Sequence, residues 1–104
     1  MENQHRKIKG YRELSQVEID LMNRIKAKGA ELLKLQAELV EALDKQRFET
    51  QTAALGDTDY EGRANAEHRR FNNAETLRWA AIGKTDIQTG IMALVRAVAQ
   101  PDGV

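Results

Sequence analysis

The fold is decided by a stretch in the first half of the chain, residues 14–43, which reads LSQVEIDLMNRIKAKGAELLKLQAELVEAL. The stretch opens with two helix-start signals. Ser15 and Glu18 have the spacing of a capping box, in which each side chain accepts a hydrogen bond from the other residue's backbone N–H. Leu14 and Ile19 stand at the two positions of a hydrophobic staple. Because two independent signals agree, we predict that a helix begins directly after Ser15.

Apolar side chains then recur at a helical spacing, and no proline interrupts them. They form a heptad-like stripe with a widened edge: Leu21, Ile25, Leu32, Leu35, Leu39 and Ala42, then Leu33, Val40 and Leu43. We predict one long helix over residues 15–48. Gly29 falls inside it, where glycine costs about 1 kcal/mol relative to alanine. A glycine there predicts either a bend or the close approach of another backbone.

The second half of the chain reads as a connection followed by another helix. Gly56-Asp57-Thr58-Asp59 is typical of a turn, so we predict a connection over 49–74, with a short weak helix over 63–71. A second long helix is predicted over 75–99, since Pro101 lies just past its end. No period-two alternation persists. We therefore predict a single all-α domain: a hairpin of two long helices behind a short basic arm, residues 1–14.

Composition narrows the class of protein. The chain has 104 residues, 16 Lys+Arg against 16 Asp+Glu, and no Cys. Zero net charge argues against a general affinity for long nucleic acid. No apolar run is long enough to span a bilayer and the N-terminus lacks a signal-peptide pattern, so we expect a soluble cytoplasmic protein without a membrane partner. A bare hairpin cannot bury apolar stripes on both helices, which predicts a homo-oligomer.

Few residues offer catalytic chemistry. Ser15 is the only serine, and its capping position explains it better than catalysis does. His5 and His68 are isolated, without an adjacent nucleophile or clustered metal ligands. We therefore predict a protein that is not an enzyme, with no catalytic residue, no metal and no cofactor.

The arm is the most informative polar segment. Residues 1–12 carry four cations and one anion, whereas residues 13–59 carry six cations and ten anions. Tyr11 offers an aromatic face on which a base can stack, and Gly10 lets a backbone approach a ligand. The flanking cations, Lys9 and Arg12 among them, can neutralise phosphates. This combination suits a nucleotide with more than one phosphate.

Other functions are compatible with the same residues. A structural or partner-binding helical oligomer would need only a solvated arm. A single-strand nucleic-acid binder would use the same cations and Tyr11, with an affinity that falls steeply with salt. A phosphodiesterase is disfavoured by the lack of a metal-ligand cluster.

The run from His5 to Lys26 resembles the phage anti-CBASS cyclic-nucleotide sponge family, which is related to sponges that counter Thoeris defence. A second block, Arg78-Trp79 and residues 86–101, is similar to that family's C-terminal helix. Residues 45–74 carry no resemblance. The resemblance implies an all-helical hexamer in the cytoplasm of an infected bacterium. It implies binding of cyclic dinucleotides such as cyclic GMP-AMP, without cleavage, so that CBASS effectors stay inactive.

The resemblance also implies site residues. Tyr11 would stack on a base and Lys26 would contact a phosphate, with further contacts from Lys9, Gly10 and Arg12. Some members bind a cyclic trinucleotide in a second pocket, to which only Arg78 carries over.

One geometric question follows from these positions. Lys26 lies eleven residues past the cap, or about 16 Å along a helix. If the arm continues away from the helix, the pocket must be shared, with Tyr11 from one chain and Lys26 from another. The alternative is an arm folded back along its own helix.

Overall fold

A computed structural model describes residues 12–102. Three helices follow one another in the chain: α1, Gln16–Leu55; α2, Arg63–Ala74; and α3, Thr76–Ala99. The described residues contain no strand. The predicted all-α hairpin architecture is confirmed.

The start of α1 is held by the predicted capping box. The backbone N–H of Glu18 donates to Ser15 Oγ at 3.2 Å, and the backbone N–H of Ser15 donates to Glu18 Oε1 at 2.9 Å. Two of the backbone donors that a helix start leaves without partners are thereby satisfied. The predicted boundary is correct because its cause is entirely local.

The end of α1 was predicted too early. The helix runs to Leu55, seven residues beyond Phe48. Residues 49–55 contain neither glycine nor proline, so nothing in them stops a helix once it is formed. The stop comes at Gly56, whose N–H donates to the carbonyls of Thr52 and Ala53 at 3.3 and 3.2 Å.

A single residue separates α2 from α3. Glu75 adopts a left-handed backbone conformation, with φ of 51°, and its N–H donates to the carbonyl of Asn72 at 3.2 Å. The short helix predicted over 63–71 therefore extends to Ala74, and α3 begins at Thr76, one residue later than predicted. A break between residues 71 and 75 was predicted, but glutamate rarely adopts this conformation, so the sequence does not single out Glu75.

The described residues divide into two compact units, 12–33 with 86–102, and Lys34–Thr85. The single-domain organisation therefore stays a prediction. In the first unit Gly29 is buried against Ile91, since a Cβ placed on Gly29 would lie 2.1 Å from Ile91 Cδ1. The predicted close approach at Gly29 is thus made by a side chain rather than by a backbone.

The second unit has its own small core. Phe71 of α2 and Ala80 of α3 are 3% and 7% exposed. The side-chain amide of Gln36 in α1 donates to the carbonyl of Ala80 at 3.0 Å, which ties the two helices together inside this unit.

Little apolar surface is buried for a chain of this size. Among the described residues only Phe71, Ala80 and Ala99 are buried apolar side chains. Large apolar side chains stay exposed along all of α1 and α3, among them Val17, Leu21, Leu32, Leu35, Leu39, Phe48, Leu55, Trp79, Met92 and Leu94. Contiguous exposed apolar surface is typical of chains that pack against partners.

Candidate anion-binding groove

The last cation of the predicted basic arm, Arg12, is held across the ends of two helices. The Arg12 guanidinium pairs with both carboxylate oxygens of Glu18, in the first turn of α1. Its Nη2 also donates to the carbonyl of Val98, in the last turn of α3, at 3.0 Å. We call this arrangement of Arg12, Glu18 and the Val98 carbonyl the Arg12 clasp.

The clasp changes the acidity of Glu18. The hydrogen bond from Arg12, aided by the N–H of Ser15, lowers the pKa of the Glu18 carboxyl from 4.5 to about 2. Glu18 is therefore ionised throughout the physiological range, and the ion pair with Arg12 is maintained there.

The clasp also completes the end of α3. Gln100 is left-handed, with φ of 51°, and its N–H donates to the carbonyl of Arg96 at 2.8 Å. The carbonyl of Val98 lies in the last turn, where a helix leaves acceptors without intrahelical partners and carries partial negative charge. The Arg12 cation satisfies that acceptor, so the clasp stabilises both helix ends that it joins.

A groove of about 640 Å³ lies between α1 and α3 in this unit. Three cations line it: Arg12 from the clasp, Lys26 from α1 and Arg96 from α3. The rest of its lining is mostly apolar, with Leu14, Met22, Ile91, Met92, Val95 and Ala99. We call this the cationic groove.

Within the described part of the chain, two of the three cations have no carboxylate partner. Lys26 and Arg96 are both exposed, and neither forms an ion pair with a carboxylate of residues 12–102. Exposed cations beside apolar surface can hold a phosphate while a base packs on the apolar part. The groove has the volume of an ordinary small-molecule site.

The structure brings two of the predicted site residues together. Arg12 and Lys26 line the same groove of the same chain. Lys9, Gly10 and Tyr11 lie outside the described residues. The Arg12 side chain contacts α1 and α3 of its own chain. Whether Tyr11 and Lys26 of one chain or of two chains meet at the ligand stays a prediction.

Arg96 was missed in the sequence. The signal was present, because a helical hairpin is antiparallel and the last turn of its second helix meets the first turns of the first. A cation three residues before the predicted end of the second helix, on the face of Thr89 and Met92, therefore points to the same groove as Lys26.

Arg78 lies in the second unit, beside a cavity of about 220 Å³ lined also by Phe71, Thr76 and Leu77. Its guanidinium lies 5.2 Å from the centroid of the Trp79 ring, and Nη1 is 3.7 Å from Glu75 Oε2. The predicted role of Arg78 in a second pocket stays a prediction.

A second groove of the first unit is mostly apolar. It has a volume of about 450 Å³, and its lining includes Leu21, Ile25, Leu32, Ile87, Ile91 and Leu94. We call it the apolar groove.

The described residues were also searched for membrane-spanning helices and for metal-ligand groups. Across residues 12–102 no helix combines the length and the apolar character that crossing a membrane needs. The same part of the chain holds no group of three or more His, Cys, Asp or Glu side chains placed to bind a metal ion.

Comparison with known proteins identifies the family. Residues 3–99 match the family described as Acb2/Tad1, hairpin domain. The chain is 60% identical over 107 residues to Anti-CBASS protein 2 of Pseudomonas phage JBD67, and the alignment covers 99% of both proteins. The resemblance predicted from the sequence is therefore confirmed. The protein belongs to the Acb2/Tad1 hairpin-domain family.

Proposed function

We propose that this protein is a phage anti-defence protein that binds and sequesters cyclic oligonucleotide second messengers without cleaving them. The primary ligands are cyclic dinucleotides such as cyclic GMP-AMP. In the cytoplasm of the infected host, the bound messenger is withheld from CBASS effectors, which then stay inactive. The name of Anti-CBASS protein 2 supports the anti-defence role, given 60% identity over nearly the whole of both chains.

One observation carries the ligand class, and it is the lining of the cationic groove. Lys26 lies there with two arginines above a mostly apolar surface. Phosphates require the cations, and bases require the apolar or aromatic faces. A small compact ligand that carries both groups matches this lining, whereas long nucleic acid would need an extended cationic track.

Sequestration sets a demand on affinity. A sponge must hold a trace messenger against its receptor, which requires nanomolar binding, or about −12 kcal/mol. Stacking of a base on Tyr11 contributes roughly 1–3 kcal/mol. Charge-assisted contacts to phosphate contribute roughly 1.5–3 kcal/mol each. Two stacked bases and two neutralised phosphates together contribute roughly 5–12 kcal/mol, so an enclosed interface must supply the rest.

The test is calorimetric titration of cyclic GMP-AMP into the intact protein and three variants. We expect Tyr11→Ala and Lys26→Ala each to weaken binding by roughly 1–3 kcal/mol, with helical content unchanged. Lys34→Ala is the matched control, because Lys34 is an exposed α1 cation that lines neither groove. Unchanged binding in both Tyr11→Ala and Lys26→Ala would overturn the site assignment.

The competing functions give different results. A purely structural or partner-binding oligomer shows no thermal shift with any cyclic dinucleotide. A single-strand nucleic-acid binder takes up linear oligonucleotides, and its affinity falls steeply with salt. A phosphodiesterase returns a linear product in place of the cyclic ligand.

The working form of the protein is a homo-oligomer, and the family resemblance implies a hexamer. The apolar groove and the exposed leucines of α1 support assembly, because a second copy would remove this surface from water. Sedimentation is expected to show an assembly at micromolar concentration, and a folded monomer would contradict it. A second pocket for a cyclic trinucleotide, with Arg78 as a member, is part of the same proposal.

A further inference from the structure

The exposed apolar stripe of α1 has the spacing of a coiled-coil seam. Written as heptads abcdefg, α1 carries apolar side chains at successive a and d positions, with one interruption at Lys28. We call these residues the α1 seam: Leu21, Ile25, Leu32, Leu35, Leu39 and Ala42. The leucines of the seam are 41–59% exposed. The described part of the chain therefore leaves the seam open to a further helix.

The two edges of the seam differ in chemistry. On one edge the e positions face the chain's own α3, since Gly29 packs on Ile91 and the Gln36 amide donates to the Ala80 carbonyl at 3.0 Å. The e positions carry no charge: Met22, Gly29, Gln36 and Leu43. On the other edge every g position is exposed and charged: Arg24, Glu31, Glu38 and Lys45.

The g positions favour one orientation for a second copy of the same helix. In a parallel pair of helices the g positions face the e positions of the partner, whereas in an antiparallel pair they face its g positions. Because the e positions are uncharged, a parallel pair would form no ion pair along the seam. An antiparallel pair sets Arg24 against Glu38 of the second copy. Neither of these two side chains forms an ion pair with any side chain of residues 12–102.

The apolar side chains support the same register. When Arg24 faces Glu38 of the second copy, the seam residues meet as Leu21 with Leu39, Ile25 with Leu35 and Lys28 with Leu32. Glu31 then faces Glu31 of the second copy. Each of these carboxylates has its own cation, because Lys28 Nζ lies 3.6 Å from Glu31 Oε2, and this offsets their repulsion.

The neighbouring registers are worse for identifiable reasons. A shift of one heptad in one direction sets Arg24 against Lys45 and Glu31 against Glu38, so that like charges meet twice. The opposite shift leaves the leucines at 35 and 39 without apolar partners on the second copy.

We infer that α1 pairs with α1 of a second copy in antiparallel orientation, with the seams in contact and Arg24 of each copy paired with Glu38 of the other. The pairing is isologous, so the ion pair forms twice. The inference rests on the proposed function, because assembly is part of it, and it names the surface, the partner and the orientation.

The test is sedimentation of the full-length protein and its charge-reversal variants over a range of concentrations. Arg24→Glu and Glu38→Arg are each expected to raise the concentration needed for assembly about 2- to 30-fold, the range for losing two exposed ion pairs. The double variant restores both pairs with their signs exchanged and is expected to assemble like the unchanged protein. Lys34→Glu is the matched control, because it makes the same change of charge at an exposed α1 position outside the seam.

The outcomes separate this inference from the proposed function. If the unchanged protein assembles and the single reversals behave like Lys34→Glu, the antiparallel pairing is wrong and the proposed oligomer stands. Weakened assembly in both single variants without recovery in the double variant also overturns the pairing. If the unchanged protein sediments as a folded monomer, the pairing and the proposed oligomer are both wrong. Binding of cyclic GMP-AMP to the same samples tests the ligand proposal separately.

Discussion

Gly29→Ala tests the packing of α1 against α3 directly. A Cβ at residue 29 would lie 2.1 Å from Cδ1 and 2.6 Å from Cγ1 of Ile91. Both distances are far inside van der Waals contact, so Ile91 must change rotamer or the helices must separate. Overpacking of this kind costs about 1–3 kcal/mol, whereas alanine gains about 1 kcal/mol over glycine in a helix interior. The net result is a loss of stability of about 0–2 kcal/mol.

Gly83→Ala is the matched control. Gly83 lies inside α3, and a Cβ there would have no neighbour within 4 Å. Only the helix-propensity gain applies, so this variant is expected to be more stable by about 1 kcal/mol. The difference between the two variants isolates the overpacking energy, about 1–3 kcal/mol.

The assay is urea unfolding followed by far-ultraviolet circular dichroism, at one fixed protein concentration so that assembly contributes equally. Ile91→Val removes the nearest methyl group, so Gly29→Ala should destabilise less in that background, with a coupling of about 0.5 kcal/mol or more. If Gly29→Ala were as stabilising as Gly83→Ala, the packing of Ile91 on Gly29 would be refuted.

Three further outcomes follow from the same contacts. The pKa of Glu18 is lowered from 4.5 to about 2, so the ionised carboxylate stabilises the fold above pH 4.5. This stabilisation is lost as the pH falls toward 2. In acid titrations, the difference in stability between the unchanged protein and Glu18→Gln should therefore shrink from pH 4.5 to pH 2. Ser15→Ala should cost about 1 kcal/mol in urea unfolding through loss of the α1 cap, and no loss would contradict the capping role. Phe71→Ala should cost about 3–5 kcal/mol, since its side chain is 3% exposed; Phe48→Ala, at 67% exposed, should cost clearly less, and equal losses would contradict the burial pattern.

The sequence predicted those parts of the fold whose causes are local. The capping box of Ser15 and Glu18 depends on residues three apart, and it places the start of α1 correctly. The end of α1 was placed too early because the apolar stripe fades before the helix does, and only Gly56 stops it. A break between residues 71 and 75 was predicted, but its position at Glu75 depends on a backbone conformation that glutamate seldom adopts.

The sequence predicted two of the cations that line the groove, but it did not predict that Arg12 is bonded to Glu18 and to the Val98 carbonyl. Lys26 and Arg12 were both expected at the ligand, and both line one groove. That Arg12 is held by Glu18 and Val98 depends on where the end of α3 lies relative to the start of α1. Only the three-dimensional arrangement shows that Lys26 and Arg96 line one groove and have no carboxylate partner among residues 12–102.

The central claim is that the protein holds an intact cyclic dinucleotide, and one measurement tests it most directly. The full-length protein is mixed with cyclic GMP-AMP, desalted and weighed by native mass spectrometry, and the ligand is then released by heat and identified. We predict an oligomer that carries cyclic GMP-AMP and releases it unchanged. An assembly without ligand, or release of a linear product, would contradict the account.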